Sequence, residues 1–242
     1  MAGGTVAPHR LVLLRHGESV WNAQDLFAGW ADVPLTPRGR AQARRCGAQL
    51  ADAGLLPDIA HTSLLKRAID TADLALDAAD RHWVDVRRSW RLNERHYGAL
   101  QGRKRSQVRD EVGTEQLQRW RRSWDVAPPA VDVSTRYRDS EARYRQLGIP
   151  VPATESLKDV YARLVPYWEN TVVPDLLSGR TVLVVAHGNV LRALVKHIDD
   201  LADDHVGRLK IPTGAPLHFR LDGDLRPLAP GGSYLSSPES RR

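Results

Sequence analysis

Two short apolar runs, each ending in His-Gly, constrain this chain more than any other feature. Residues 11–14 read Leu-Val-Leu-Leu and stop at Arg15-His16-Gly17. Residues 181–186 read Thr-Val-Leu-Val-Val-Ala and stop at His187-Gly188-Asn189. A continuous apolar run this short suits a strand covered on both faces, the usual state of a strand in a parallel sheet. In open α/β sheets, ligands bind beyond the carboxyl ends of such strands. His16 and His187 therefore fall where a ligand would sit. Gly17 lets the backbone approach a neighbour closely. The cation of Arg15, the imidazole of His16 and the polar groups of Ser19 and Asn22 suit a phosphate. One strand-terminal histidine is as readily a hydrogen-bonded structural residue; two, on two similar strands, favour a shared site.

The intervening chain alternates helix and strand signals. Thr36 as cap and Pro37 in the first turn predict a helix to about Ala53, with Gly54 as terminator. A short strand is expected over 58–62. Ser63 is placed as the cap of the next helix, whose apolar side carries Leu65, Ile69, Ala72 and Leu76. Arg67, in its first turns, lies where the positive end of the helix favours an anion; alone, it reads more plainly as an exposed helical arginine. A third strand is expected over 83–86. Residues 91–102 have neither period and are rich in charge, aromatics and glycine, which suits a functional loop. From 103 to about 150 the alternation breaks. That stretch reads as an insertion over the site, with a helix at 116–124 that Pro128-Pro129 ends. Ser156 with Asp159 matches a capping box for a long helix, kinked at Pro166 and ended by Gly179. A helix at 189–197 and edge strands at 217–221 and 225–228 follow. Residues 1–9 and 231–242 are expected to be flexible tails on one domain of 242 residues with a core of about 10–230.

Composition narrows the partners. The formal net charge is +6, but the arginines come in short groups at 87–91, 103–105 and 119–122. No zinc-finger spacing, RNA-binding signature or long basic run is present, so nucleic acid is not expected. A small, highly anionic substrate uses only a few such residues. No apolar run is long enough to span a bilayer, and the first ten residues lack a signal-peptide core. Cys46 is the single cysteine, so no internal disulfide can form. A cytoplasmic protein without membrane contact is the expectation.

Leu14-Arg15-His16-Gly17-Glu18-Ser19, with Trp21-Asn22, resembles the phosphohistidine signature of the histidine phosphatase superfamily. The stretches Ser63-Leu64-Leu65-Lys66-Arg67-Ala68 and 92–102, Trp120-Arg121-Arg122, Ala186-His187-Gly188-Asn189 and Ile211-Pro212-Thr213-Gly214 resemble the cofactor-dependent phosphoglycerate mutases within it. The resemblance runs in matching order over about 10–230. It implies an α/β fold with a mostly parallel central sheet and helices on both faces. It also implies interconversion of 3-phosphoglycerate and 2-phosphoglycerate through a phosphohistidine and a 2,3-bisphosphoglycerate intermediate, as in glycolysis and gluconeogenesis. Priming by 2,3-bisphosphoglycerate, no metal, and a homodimer or homotetramer come with it. By the same resemblance His16 is the phosphorylated residue, Glu94 the proton donor and acceptor, and Arg15, Arg67 and His187 the groups around the transferring phosphoryl. Substrate contacts are implied for Gly17, Glu18, Ser19, Asn22, Ala28 and Gly29. They are also implied for Arg95, His96, Tyr97, Arg105, Arg121, Arg122, Gly188 and Asn189.

The residue types suit that chemistry. A covalent carrier splits phosphate migration into two easier steps, and a neutral imidazole nitrogen is a free nucleophile near pH 7. Arginine forks stabilise charge spread over the phosphoryl oxygens. A carboxylate such as Glu94 can take and return the hydroxyl proton, although alone it would read as a surface ion pair. Three positions depart from the family pattern: Ala28 replaces a hydroxyl residue, Arg105 stands for a lysine, and Val190 follows Asn189 in place of serine. Together with a short tail, these lead to an expectation of some phosphoenzyme leakage to water. Two rival readings remain open on the sequence. One is a phosphohydrolase for a small phosphate ester, and the other, resting only on charge, is an anion-binding or nucleic-acid-binding protein.

Overall fold

The computed structural model describes residues 7–132 and 138–235. Six strands form one sheet: β1 (His9–Arg15), β2 (Ile59–Thr62), β3 (Val86–Arg88), β4 (Thr181–Ala186), β5 (Leu217–Leu221) and β6 (Ser233–Tyr234). Their order is β3-β2-β4-β1-β5-β6. The first four run parallel, β5 is antiparallel to β1, and β6 to β5. The expected mostly parallel sheet is therefore present, with an antiparallel edge. The helices are α1 (Val20–Ala23), α2 (Pro37–Asp52), α3 (Lys66–Ala78), α4 (Arg105–Val112), α5 (Thr114–Arg122), α6 (Arg138–Gln146), α7 (Leu157–Tyr167), α8 (Val173–Leu177) and α9 (Gly188–Ile198).

Alternation along the strands sorts the core into two layers. Val12 and Leu14 of β1, with Leu183 and Val185 of β4, pack against Cys46 and Leu50 of α2 and Ala72 and Leu76 of α3. Leu11 and Leu13, with Val182 and Val184, pack against Leu157 and Leu164 of α7, Leu176 of α8 and Leu191 of α9. Helices thus cover both faces, which is why β4 is buried at all six positions. The β1–β4 register pairs Arg15 with Ala186, and the His16 amide donates to the Ala186 carbonyl at 3.0 Å. The two His-Gly ends therefore leave the sheet side by side.

Several local expectations shift. Thr36 caps α2 as its sequence predicts, accepting from the Gly39 amide at 3.0 Å. The next helix, however, starts at Lys66, and Leu65 at its cap position makes no side-chain bond; Ser63 is occupied elsewhere. The third strand lies at 86–88, not 83–86, because pairing with β2 begins at Val86 and Trp83 is left 65% exposed. The insertion is largely helical. α4 escapes sequence reading because only Val108 in it is buried, too thin an apolar stripe to show a period. α5 starts two residues earlier than expected, after Gly113 at φ +83°. The Ser156–Asp159 capping box is formed. Past Pro166 the helical path continues through a π-helical turn at Trp168–Val172 into α8, and the Asn170 side chain donates to the Pro166 carbonyl at 2.7 Å. Residues 225–228 form no strand: Leu225 sits at φ +60°, and only a bridge from Leu221 to Pro227 remains. Of the expected loose ends, His9 belongs to β1 and 233–234 to β6. Residues 1–6 and 236–242 lie outside the described residues, as do 133–137 of the insertion.

Candidate active site

Beyond the carboxyl ends of β1 and β4 lies a cavity of about 320 Å³. It is lined by Arg15, His16, Arg67 and Glu94, by Gly188 and Asn189 from the first turn of α9, and by Glu18, Asn22, Ala28, Gly29 and Tyr97. Arg105, Arg121 and Arg122, each half-buried, also line it.

His16 is buried and its orientation is fixed. Nδ1 lies 2.7 Å from the Gly17 carbonyl, an acceptor only, so Nδ1 carries the proton. Nε2 keeps its lone pair, with Arg67 Nε 3.3 Å away. Burial first, then the Arg67 and Arg15 cations, hold His16 well below the usual imidazole range, so the ring is neutral at pH 7. Gly17 is required by contact, not by a left-handed backbone: a Cβ there would lie 2.2 Å from the Gly39 carbonyl oxygen. The loop after β1 thus sits directly on the start of α2.

Arg67 is buried in the first turn of α3, not exposed. Its two terminal nitrogens donate to the Ala31 and Gly29 carbonyls, at 2.8 and 2.7 Å. These bonds aim the guanidinium and leave its charge unpaired. Burial lowers its pKa to about 10, with Glu94 opposing, so it stays cationic at neutrality. Arg15 Nη1 donates to the Ile211 carbonyl at 2.9 Å, and among the described residues its buried Nε has no partner.

The two oxygens of Glu94 differ. Oε1 accepts from the Arg95 amide at 2.8 Å, the Asn189 amide at 3.2 Å and Asn189 Nδ2 at 3.0 Å. Oε2 has no such bond among the described residues. The Tyr97 hydroxyl also accepts from Asn189 Nδ2, at 3.0 Å. Burial pushes that phenol up, but Arg95, whose guanidinium lies 4.6 Å over the ring, and Arg192 bring it down to about 8.

Some expected contact residues stand behind the wall. The Ser19 hydroxyl caps α1, accepting from the Asn22 amide at 3.2 Å. Arg95 is buried beneath Tyr97. His96 faces the Gly98 amide, 3.1 Å from its Nδ1. Gly17 meets α2. None of these four lines the cavity. Arg105 does line it, but also bonds Asp25 at 2.6 Å. His187, completely buried, packs its ring 5.0 Å from that of His16. Two lining residues were not anticipated: Thr213, and Arg192 of α9, whose Nη1 donates to Asn189 Oδ1 at 3.1 Å. Arg192 lies three residues after Asn189, so helical spacing alone could have pointed to it.

Residues 11–227 match the histidine phosphatase superfamily (branch 1), and the chain belongs to that superfamily. Within it, the chain is similar to the 2,3-bisphosphoglycerate-dependent phosphoglycerate mutases. It is 58% identical to that of Rhodococcus opacus over 231 residues, 95% of this chain and 91% of the relative. It is also 58% identical to that of Streptomyces avermitilis, over 95% of this chain and 91% of the relative. Among solved structures, a mycobacterial glucosyl-3-phosphoglycerate phosphatase complexed with VO3 superposes with a TM-score of 0.70 at 27% identity, covering 90% of this chain and 94% of that one.

Proposed function

We propose that this protein interconverts 3-phosphoglycerate and 2-phosphoglycerate, with His16 as the phosphoryl carrier and 2,3-bisphosphoglycerate as the priming donor. The observation that carries the reading is the arginine content of the cavity. Six arginines (15, 67, 105, 121, 122 and 192) line a cavity that holds only two carboxylates, Glu18 and Glu94. A single phosphoryl group needs only some of these cations. Six of them fit a ligand with two anionic groups, held while it turns over between two half-reactions. The donor set therefore suits a bisphosphorylated glycerate, which supplies the phosphoryl group to His16.

His16 Nε2 attacks phosphorus, its Nδ1–H anchored on the Gly17 carbonyl. Arg15 and Arg67, joined by His187, surround the equatorial oxygens as charge spreads over them. In the productive direction the substrate's 2-hydroxyl attacks the phosphohistidine. Glu94 Oε2, the oxygen left free, takes the hydroxyl proton and returns it in the reverse step. Arg121 and Arg122 hold the carboxylate or distal phosphate. Glu18, Asn22, Ala28, Gly29, Tyr97, Gly188 and Asn189 shape the walls. No metal is assigned, because arginine forks can stabilise the transferring charge.

The rival phosphohydrolase draws support from the structural likeness to a phosphatase at 27% identity. The 58% identity to mutases over nearly the whole chain favours transfer. Assay of 3-phosphoglycerate with and without catalytic 2,3-bisphosphoglycerate tests this. The expected result is primer-dependent 2-phosphoglycerate; release of inorganic phosphate alone would overturn it. The reading includes a cytoplasmic location and a homodimer or homotetramer. No helix among the described residues is long and apolar enough to cross a membrane.

A further inference from the structure

Ser63 follows β2, where the sequence marks it as a helix cap, yet it is completely buried. The Leu65 amide donates to its Oγ at 3.1 Å. That bond uses a lone pair and leaves the hydroxyl proton to be placed. The one acceptor in reach among the described residues is His187 Nε2, at 2.8 Å. His187 is equally buried. Burial, then the Arg67, His16 and Arg15 groups, hold it well below the usual imidazole range. The ring thus carries one proton, and its only freedom is which nitrogen bears it.

The two choices are not equivalent. With the proton on Nε2, the Ser63 hydroxyl proton would have no acceptor, at a cost comparable to a lost buried hydrogen bond. Nδ1, buried and without a protein partner, would then hold a bare lone pair in a ring that packs 5.0 Å from that of His16. With the proton on Nδ1, both problems vanish.

We infer that Ser63 is a positioning residue: its hydroxyl donates to Nε2, fixes His187 as the Nδ1–H tautomer, and so supplies a neutral N–H donor to the phosphoryl group carried by His16. This rests on the phosphoryl-transfer reading of the site. It gives His187 a role that a third guanidinium could not fill without adding charge beside Arg15 and Arg67.

Long-range proton–nitrogen NMR on the ligand-free protein labelled with 15N-histidine tests it directly. The His187 signals are identified by their loss in His187→Asn. The expected pattern is a protonated, pyrrole-type Nδ1 and a pyridine-type Nε2. Ser63→Ala, and Ser63→Cys with its similar volume and weak donor, are expected to mix or reverse the tautomers. Because a hydrogen bond to a charged group is lost, kcat should fall roughly 10- to 150-fold with KM little changed. A wild-type ring protonated on Nε2 would overturn the inference, as would an unchanged tautomer in both folded variants. Absence of mutase turnover in the wild type would instead defeat the proposed function and leave the tautomer result readable.

Discussion

In the proposed cycle Glu94 and His16 divide the covalent and proton work between two buried side chains with opposite demands. Three donors meet Glu94 Oε1, and among the described residues none meets Oε2, the oxygen proposed to exchange protons. Glu94→Gln keeps the shape but cannot take a proton, so kcat is expected to fall about 10²- to 10⁴-fold while 3-phosphoglycerate still binds; stopped-flow turnover with isothermal titration checks both. His16→Ala is expected to abolish turnover and acid-labile labelling together, and a label surviving in that variant would move the nucleophile elsewhere. His16 was legible as a cavity residue because it ends an apolar strand, whereas Glu94 alone read as a surface ion pair and was placed with His16 only by the family resemblance; both line the cavity. Ser63 was legible only as a serine before a helix. The same hydroxyl serves equally as a cap or as a partner to a histidine 124 positions away, and no local pattern separates the two.

The segment that carries Glu94 is aperiodic, yet it is not loose. Arg163 of α7 reaches under it and donates to the carbonyls of Arg91 at 2.6 Å, Asn93 at 2.8 Å and Glu94 at 3.1 Å. Its Nε donates to Glu155 at 2.7 Å, and Nη2, shared with the Asn93 and Glu94 carbonyls, also lies 3.1 Å from that carboxylate. Glu155 in turn accepts from the His96 amide at 2.7 Å and returns its own amide to the His96 carbonyl at 2.9 Å. One guanidinium thus supplies the backbone partners that a helix or strand would otherwise provide. Arg163→Met strands a buried carboxylate and is expected to cost about 3–5 kcal/mol of stability. Urea unfolding measures that loss, and kcat at temperatures where the variant stays folded should drop as well. Sequence reading found the functional loop by its lack of period but not the clamp, whose donor lies some seventy residues later. It missed α4 for a related reason: a helix that buries one valine leaves almost no trace in its pattern.

Across the whole molecule, buried histidines tie stability to pH. His16 and His187 are held well below their ordinary range, and His61, in β2, is brought down to about 4, by burial first, with Asp175 opposing. In the unfolded chain each takes up a proton near the ordinary imidazole value of 6.5. Below that pH the unfolded state binds more protons than the folded one, so stability falls as pH drops from about 6.5 toward 4 and is flat in these groups above it. The urea midpoint at pH 5 is expected to lie below that at pH 7.5, and equal midpoints would contradict the neutral-histidine account. β1 and β4 of the parallel sheet were legible because strands covered on both faces are apolar in a continuous run, whereas β2, with His61 and Thr62, and β3, with Arg87 and Arg88, carry no such run. The antiparallel edge was half legible: β5 alternates clearly, whereas two-residue β6 is too short to carry a signal.

The surplus of arginines in the cavity has a cost that falls on the empty protein. With no anion bound, like charges face one another across a small, partly desolvated space, and burial already lowers the pKa of Arg15, Arg121 and Arg192. Neutralising one of them should therefore relieve the resting chain even as it cripples turnover. Arg121→Gln is expected to melt at a higher temperature than the wild type in anion-free buffer. Added 2,3-bisphosphoglycerate should stabilise the wild type more than the variant. If so, this fold is tuned to endure while loaded, and its durability in a cell follows the supply of the anions it works on.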